Sequence, residues 1–223
     1  MYDKQRHRRL RLLIRKLNKD RKRQSRKIDI LCNDLISAQR DFIKRLGIIN
    51  FAANFYESIV GMTDLNRLLH AAVEFIKAEN EDTNVTFFLR QDGDPILQKD
   101  SKTGTQEGFE LHMFESGRPT AFEKQYIESC FTQELMDNIS KSNKVCTLDD
   151  MYAMGLHGNL SELNKISAAA IPLGLLGSSL GFILVFRSSE NKLTADEVGR
   201  IFAVVSGLSR AITSCRIPSR VTD

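Results

Sequence analysis

The chain has 223 residues, enough for one larger domain or one domain with an appendage, and its 42% hydrophobic and 27% charged composition is ordinary for a soluble protein. No apolar run reaches the roughly 18–20 residues of a membrane span, and Cys32, Cys130, Cys146 and Cys215 form no CxxC pair, which argues against a zinc site. The net charge of +4 hides a split: residues 1–27 hold 13 Lys and Arg against two Asp, about +11, leaving the rest about −7.

Residues 3–60 contain no proline and a single glycine, Gly47. The pattern predicts one long helix. With heptad position a at Ile14, Arg21, Ile28, Leu35, Phe42, Ile49 and Tyr56, position d falls at Leu17, Gln24, Leu31, Ala38, Arg45, Ala52 and Ile59. Eleven of these fourteen are apolar, which predicts a coiled-coil seam and hence a homodimer. A long amphipathic helix lying on its own domain is the simpler alternative. Arg8, Arg9, Arg11, Arg15, Arg21, Lys22 and Arg23 are the candidate contacts of this arm to phosphate or to an acidic partner. Nucleic acid, acidic lipid and acidic protein all fit such a charge run, as does a merely solvated helix face. Leu10, Leu12, Leu13 and Ile14 are too few for a signal-peptide apolar region, although an Arg-rich start also suits a transit peptide. The expected location is cytoplasmic, with reduced thiols.

From Leu46 the apolar density rises, and the helix is expected to enter a globular part as its first element. Thr63 is expected to cap a second helix reaching Glu79, with Leu65, Leu68, Leu69, Ala72, Val73 and Ile76 on one face. Asn84–Gln91 alternates as a strand. Asp92-Gly93-Asp94-Pro95 is a turn signal, Ile96–Gln98 a short return strand, and residues 99–107 a loop. Phe109–Phe114 reads as a further strand. Ala121 to about Ser142 has helical spacing, Val145–Leu148 suits a strand, and residues 149–165 suit a loop with room for one helical turn. Two apolar runs follow, Ile166–Leu173 and Leu180–Phe186, joined by a Gly/Ser turn. They predict a hairpin covered on both faces, with Pro172 at a strand end or bulge. Thr194 and Glu197 spell a capping box for a last helix, whose inward positions are Val198, Ile201, Phe202, Val205, Leu208 and Ile212.

Pro172-Leu173, a short turn, Leu180-Gly181 opening an apolar strand, and the capped helix after it resemble the C-terminal half of a GAF domain, a small-molecule-sensing signalling module. The resemblance covers about residues 46–215. The expected fold is α+β and GAF/PAS-like: an antiparallel sheet of about five to six strands sandwiched by helices, with a long N-terminal helix. The expected division is a basic coiled-coil helix over 1–45, a GAF-like domain over 46–216 and a tail over 217–223. The resemblance implies a small ligand on the sheet face under the middle helix, with Phe87, Phe109, His112, Cys130, Phe131, Asp149 and Tyr152 as candidate ligand-binding residues. Members that bind cyclic nucleotides carry an Asn-Lys-Phe-Asp-Glu run, which is absent here, and Cys130 lacks the neighbouring His of bilin-binding members. The cofactor is therefore unknown. No catalytic or metal-binding residue is assigned, because no nucleophile motif, phosphate loop or paired carboxylates stand out. The expected function is a non-enzymatic sensor or dimerisation module that binds a small ligand or partner and relays it through the coiled coil. Two alternatives stay open: a nucleic-acid-associated scaffold, and a small redox enzyme using Cys130 or Cys146.

Overall fold

A computed structural model of the chain describes residues 2–78, 80–91, 108–114, 126, 129–175 and 178–216. The turn at 92–95, the return strand 96–98, the loop 99–107, the start of the middle helix at Ala121 and the tail 217–223 lie outside the described residues. The chain divides into two units, Met1–Ile49 and Asn50–Asp223.

The first unit is helical throughout its described length and belongs to α1 (Tyr2–Ile59). Long unbranched side chains and the absence of proline favour the helix. Every described side chain from Gln5 to Gly47 is exposed. The seam residues Leu17, Leu31 and Leu35 are 68%, 66% and 69% exposed, a stripe of apolar surface without cover in a single chain.

In the second unit, the last turns of α1 bury Phe51, Phe55 and Ile59 at spacings of four. The next helix, α2 (Leu65–Lys77), is capped by Asp64 rather than Thr63. Its carboxylate accepts the Arg67 amide at 2.7 Å. Both residue types cap well, and the register of the buried face, Leu68, Leu69, Ala72, Val73 and Ile76, selects the later start.

The sheet consists of β1 (Asn84–Arg90), β2 (Phe109–Phe114), β3 (Cys146–Thr147), β4 (Ile166–Leu175) and β5 (Ser178–Ser188). Among the described residues the strands run in the order β2-β1-β5-β4-β3, and every neighbouring pair is antiparallel. The predicted hairpin is β4–β5, and β5 is the central strand. Gly181 explains why a glycine must open it. Its φ is +131°, and a Cβ there would lie 1.8 Å from the Phe88 carbonyl oxygen. Pro172 pairs opposite Phe182, one residue before the register slips between Leu173 and Gly174. The proline sits beside a bulge and beyond the residues of β4 that pair with β3, where the ladder has one partner strand.

Helices α3 (Gln133–Lys141), α4 (Leu148–Ala153), α5 (Leu160–Leu163) and α6 (Ala195–Arg216) complete the second unit. The predicted Ala121–Ser142 helix is broken: Tyr126, Ser129 and Cys130 are helical, Phe131 and Thr132 are not, and Thr132 caps α3 through the Leu135 amide at 3.3 Å. The predicted strand Val145–Leu148 shrinks to two residues, because Thr147 and Asp150 form a capping box that starts α4 at Leu148. The expected loop 149–165 accordingly contains α4 and α5. The box at Thr194 and Glu197 forms as predicted and opens α6.

Two apolar layers cover the sheet. The end of α1, α2 and α6 pack on one face, against Val85, Phe87, Leu89, Ile183 and Val185. On α6 the buried stripe is Ile201, Val204, Val205, Leu208 and Ile212, whereas Phe202, expected inward, is 43% exposed. The other face carries Phe88, Phe182, Leu184 and Phe186 against Cys130, Phe131, Leu135, Ile139 and Met151.

Candidate functional site

The sheet face under α3 is where the sequence resemblance implies a ligand. Alternation along the strands decides which residues reach it. Phe88 and Phe182 stack at 4.4 Å between ring centroids, 10° from parallel, and Phe131 lies 5.1 Å from Phe88. Phe109 and Tyr152 pack at the rim of this cluster. Of the seven candidate ligand-binding residues, Phe109, Cys130, Phe131 and Tyr152 therefore share one face. Phe87 belongs to the opposite layer, with its ring 6.1 Å from Phe114. His112 is the cross-strand partner of Phe87, and its Nε2 lies 3.3 Å from Glu110 on its own strand. The sheet separates these two from the other face. Asp149 is exposed in the first turn of α4.

Two polar ties hold α3 over this face. The Arg90 guanidinium on β1 donates to the Asp137 carboxylate and, at 3.2 Å, to the Ser140 hydroxyl. Ser179 at the start of β5 donates to the Ser140 carbonyl at 2.7 Å. Arg90 also lies over the Phe109 ring, 5.2 Å from its centroid.

A small polar cluster borders the aromatic one. The Tyr126 hydroxyl accepts the Asn159 amide at 3.1 Å, and the Cys130 carbonyl accepts the His157 amide at 3.1 Å. Burial pushes the Cys130 thiol up, against hydrogen bonds with Tyr126 and Ser129 that pull the other way. Burial also raises the Tyr126 and Tyr152 phenols. Among the described residues the buried Tyr152 hydroxyl has no hydrogen-bond partner. Tyr126 falls within the 121–142 stretch of helical spacing, which marks it only as a helical position. Its polar role depends on the loop at 154–159 folding back, which no local pattern announces.

The space left here is about 20 Å³, lined by Cys130, Phe131, Met151, Leu163 and Phe186. That is the size of a single water. Among the described residues the face is filled by side chains, so anything larger enters there only by displacing some of them. Roomier concavities lie elsewhere in the unit, either side of the exposed Phe202. An open groove of about 620 Å³ runs past Ser140, Pro172, Ser179 and Ser206, and another of about 670 Å³ past Val145, Ile166, Leu193 and Val198. Both follow the edge of β4, which β3 pairs only at Ala169 and Ala170. Beyond that two-residue pairing the edge of β4 has no strand beside it among the described residues, and such an open stretch of edge can accept an extended peptide.

In the first unit Arg8, Arg9, Arg11, Arg15, Arg21, Lys22 and Arg23 are all exposed. Among the described residues no group of three or more His, Cys, Asp and Glu could hold a metal ion. No helix among them is long and apolar enough to cross a membrane.

No protein-family model matches the sequence, and comparison with curated proteins gives no match. Solved structures with a similar fold include a GAF domain/HD domain protein from Geobacter sulfurreducens, at 13% identity and TM-score 0.47, over 71% of this chain and 99% of that one. The GAF domain of a phosphoenolpyruvate-protein phosphotransferase from Coxiella burnetii is similar at 12% identity and TM-score 0.47, over 77% and 95%. An N-acylhomoserine lactone-dependent LuxR-family transcription factor from Burkholderia cenocepacia is similar at 14% identity and TM-score 0.46, over 79% and 99%.

Proposed function

We propose that the chain is a non-enzymatic signalling module: a GAF-like domain that dimerises through the heptad face of α1 and relays ligand or partner binding along that helix. The observation that carries this reading is that one helix serves two ends. Its last turns bury Phe51, Phe55 and Ile59 in the core of the second unit. Its earlier turns expose Leu17, Leu31 and Leu35 in a heptad register. Tyr56 of α1 is seated on Gly207 of α6, where a Cβ would come within 2.1 Å of the ring. A change in α6 is therefore felt by α1 at close quarters.

The input is the less constrained half. The filled face under α3 favours either a protein partner at the grooves beside Phe202 or a small molecule that displaces Phe131. The raised Cys130 thiol counts against thiol redox chemistry, because the thiolate is the reactive form. Native mass spectrometry of the full-length protein tests the proposal. The expected species is a dimer, which Leu31→Glu with Leu35→Glu converts to a folded monomer. Any retained small molecule appears as added mass. A parent protein that stays monomeric at tens of micromolar would sink the dimeric relay.

A further inference from the structure

We infer that the basic arm of α1 is a binding site for double-stranded nucleic acid, held by its phosphate backbone and without sequence readout. This site stands apart from the relay proposed above, since each arm presents its charges whether or not two chains pair. From Gln5 to Lys27 the helix carries twelve Lys and Arg and one acidic residue, Asp20, all exposed.

Their arrangement is not uniform. At 100° per residue, all of the twelve except Arg6 and Arg21 fall within an arc of about 160°. Leu10, Leu13, Ile14 and Leu17 fall in a separate arc of about 100°, on the same side as Leu31, Leu35 and Phe42. Only Leu12 interrupts the basic face. The charges thus face away from the apolar seam and stay free to bind when the seam is occupied. From Arg8 to Lys27 the face is about 28 Å long at 1.5 Å per residue, close to the ~34 Å of one duplex turn.

The chemistry selects the polyanion. Six of the ten basic residues on this face are arginines, whose forked guanidinium matches phosphate oxygens two at a time. No Phe, Tyr or Trp occurs between Gln5 and Asp41, so there is no platform for stacking the bases of a single strand. An interfacial lipid helix sinks a face rich in Trp, Phe and Leu. Here the only apolar stripe is aliphatic and continuous with the heptad seam. Between Arg8 and Lys27 the two amides stand outside the basic arc, Asn18 at its margin and Gln24 on the seam, so the face offers arginine and lysine to backbone phosphates and not a paired amide to base edges.

The test is fluorescence anisotropy of the full-length protein with a labelled 20-base-pair duplex across a salt series. Binding is expected to weaken with salt at a log–log slope of about −4 or steeper, and to be equal within a few-fold for unrelated sequences. Combining Arg11→Gln, Arg15→Gln, Lys22→Gln and Arg26→Gln, all on the basic face, lowers affinity roughly tenfold or more and flattens the slope by about 3. Combining Arg40→Gln, Arg67→Gln, Lys144→Gln and Arg210→Gln, all exposed and outside both the arm and the heptad seam, removes the same charge elsewhere and leaves binding within about twofold of the parent. Circular dichroism checks that both variants keep their helix. Absence of duplex binding at 50 mM salt overturns the inference, as does equal loss in the two variants. Binding to phosphatidylserine vesicles without binding to duplex assigns the face to lipid and overturns it too.

Discussion

Arg187 is a buried charge whose partners set the cost of removing it. It lies on β5, 2% exposed, and holds the start of α6 in place. Its guanidinium donates to both Glu197 carboxylate oxygens, at 3.1 and 2.7 Å, and to the Lys192 carbonyl at 2.5 Å. Glu197 in turn accepts from the Thr194 amide and hydroxyl, so the ion pair and the capping box share one carboxylate. Burial alone would raise the Glu197 carboxyl; the bonds from Arg187 and Thr194 outweigh it and bring it down to about 2. Arg187→Ala strands that carboxylate and is expected to cost about 3–5 kcal/mol. The pH dependence has a definite sign. A depressed carboxyl stabilises the fold fully above its unfolded value near 4.5, and that stability is lost as pH falls toward 2. After screening, this part is worth about 1–2 kcal/mol. Urea denaturation from pH 7 to pH 3 measures both quantities. The parent should lose stability below pH 4.5, and Arg187→Ala should be weaker at pH 7 with a flatter acid limb. Arg187→Met with Glu197→Gln should recover part of the loss. A variant within 1 kcal/mol of the parent at pH 7, with an unchanged acid limb, refutes the role given to the pair.

Other substitutions probe the layers around it. Gly181→Ala forces a Cβ into the Phe88 carbonyl at a positive φ and should cost about 3–5 kcal/mol in urea denaturation, while Gly199→Ala, where a Cβ meets nothing, should be neutral or stabilising. Tyr152→Phe removes a buried hydroxyl without a partner among the described residues and should raise stability by about 1 kcal/mol, so a loss of that size would reveal a partner. Cys130 should react with iodoacetamide far more slowly than the exposed Cys32 at pH 8, because it is buried and its thiol is raised; comparable rates by mass spectrometry would contradict that placement. Gly207→Ala should add helix propensity to α6 but push on Tyr56, so that stability changes by less than about 2 kcal/mol while the α1 contact shifts. Tyr56 fluorescence that matches the parent would mean the contact is loose.

The parts legible in the sequence were those fixed by local rules. The hairpin at Ile166–Ser188 announced itself because both strands are apolar on both faces, and only a central position satisfies that. Thr194 and Glu197 read correctly as a cap because the box needs just four residues. The same rule applied at Thr147 and Asp150, yet the β-branched Val145 and Thr147 made that stretch look like a longer strand. The break at Phe131 and Thr132 was hidden for the opposite reason. Apolar spacing carries on through it, and a capping threonine inside a periodic run is easily read as one more helical residue.

The site was less legible than the fold, because a site depends on which residues share a face across elements. Strand alternation alone places His112 away from Phe109, and the pairing of β1 with β2 adds that Phe87 goes with His112. What no local pattern conveys is occupancy. Phe88, Phe131 and Phe182 each look like an open aromatic wall in sequence, and only their stacking shows that the wall closes on itself. That closure moves attention from the space beneath α3 to the helices around it. Arg90–Asp137 and Ser179–Ser140 fix α3 to two strands, whereas α6 leaves Phe202 exposed on one side and seats Tyr56 on Gly207 on another. If the proposed relay holds, a partner docked at Phe202 would act on the helix that α1 leans against without unpacking the aromatic cluster, whereas a ligand beneath α3 would first have to displace it, and that difference in cost is why the proposal favours the outer face of α6.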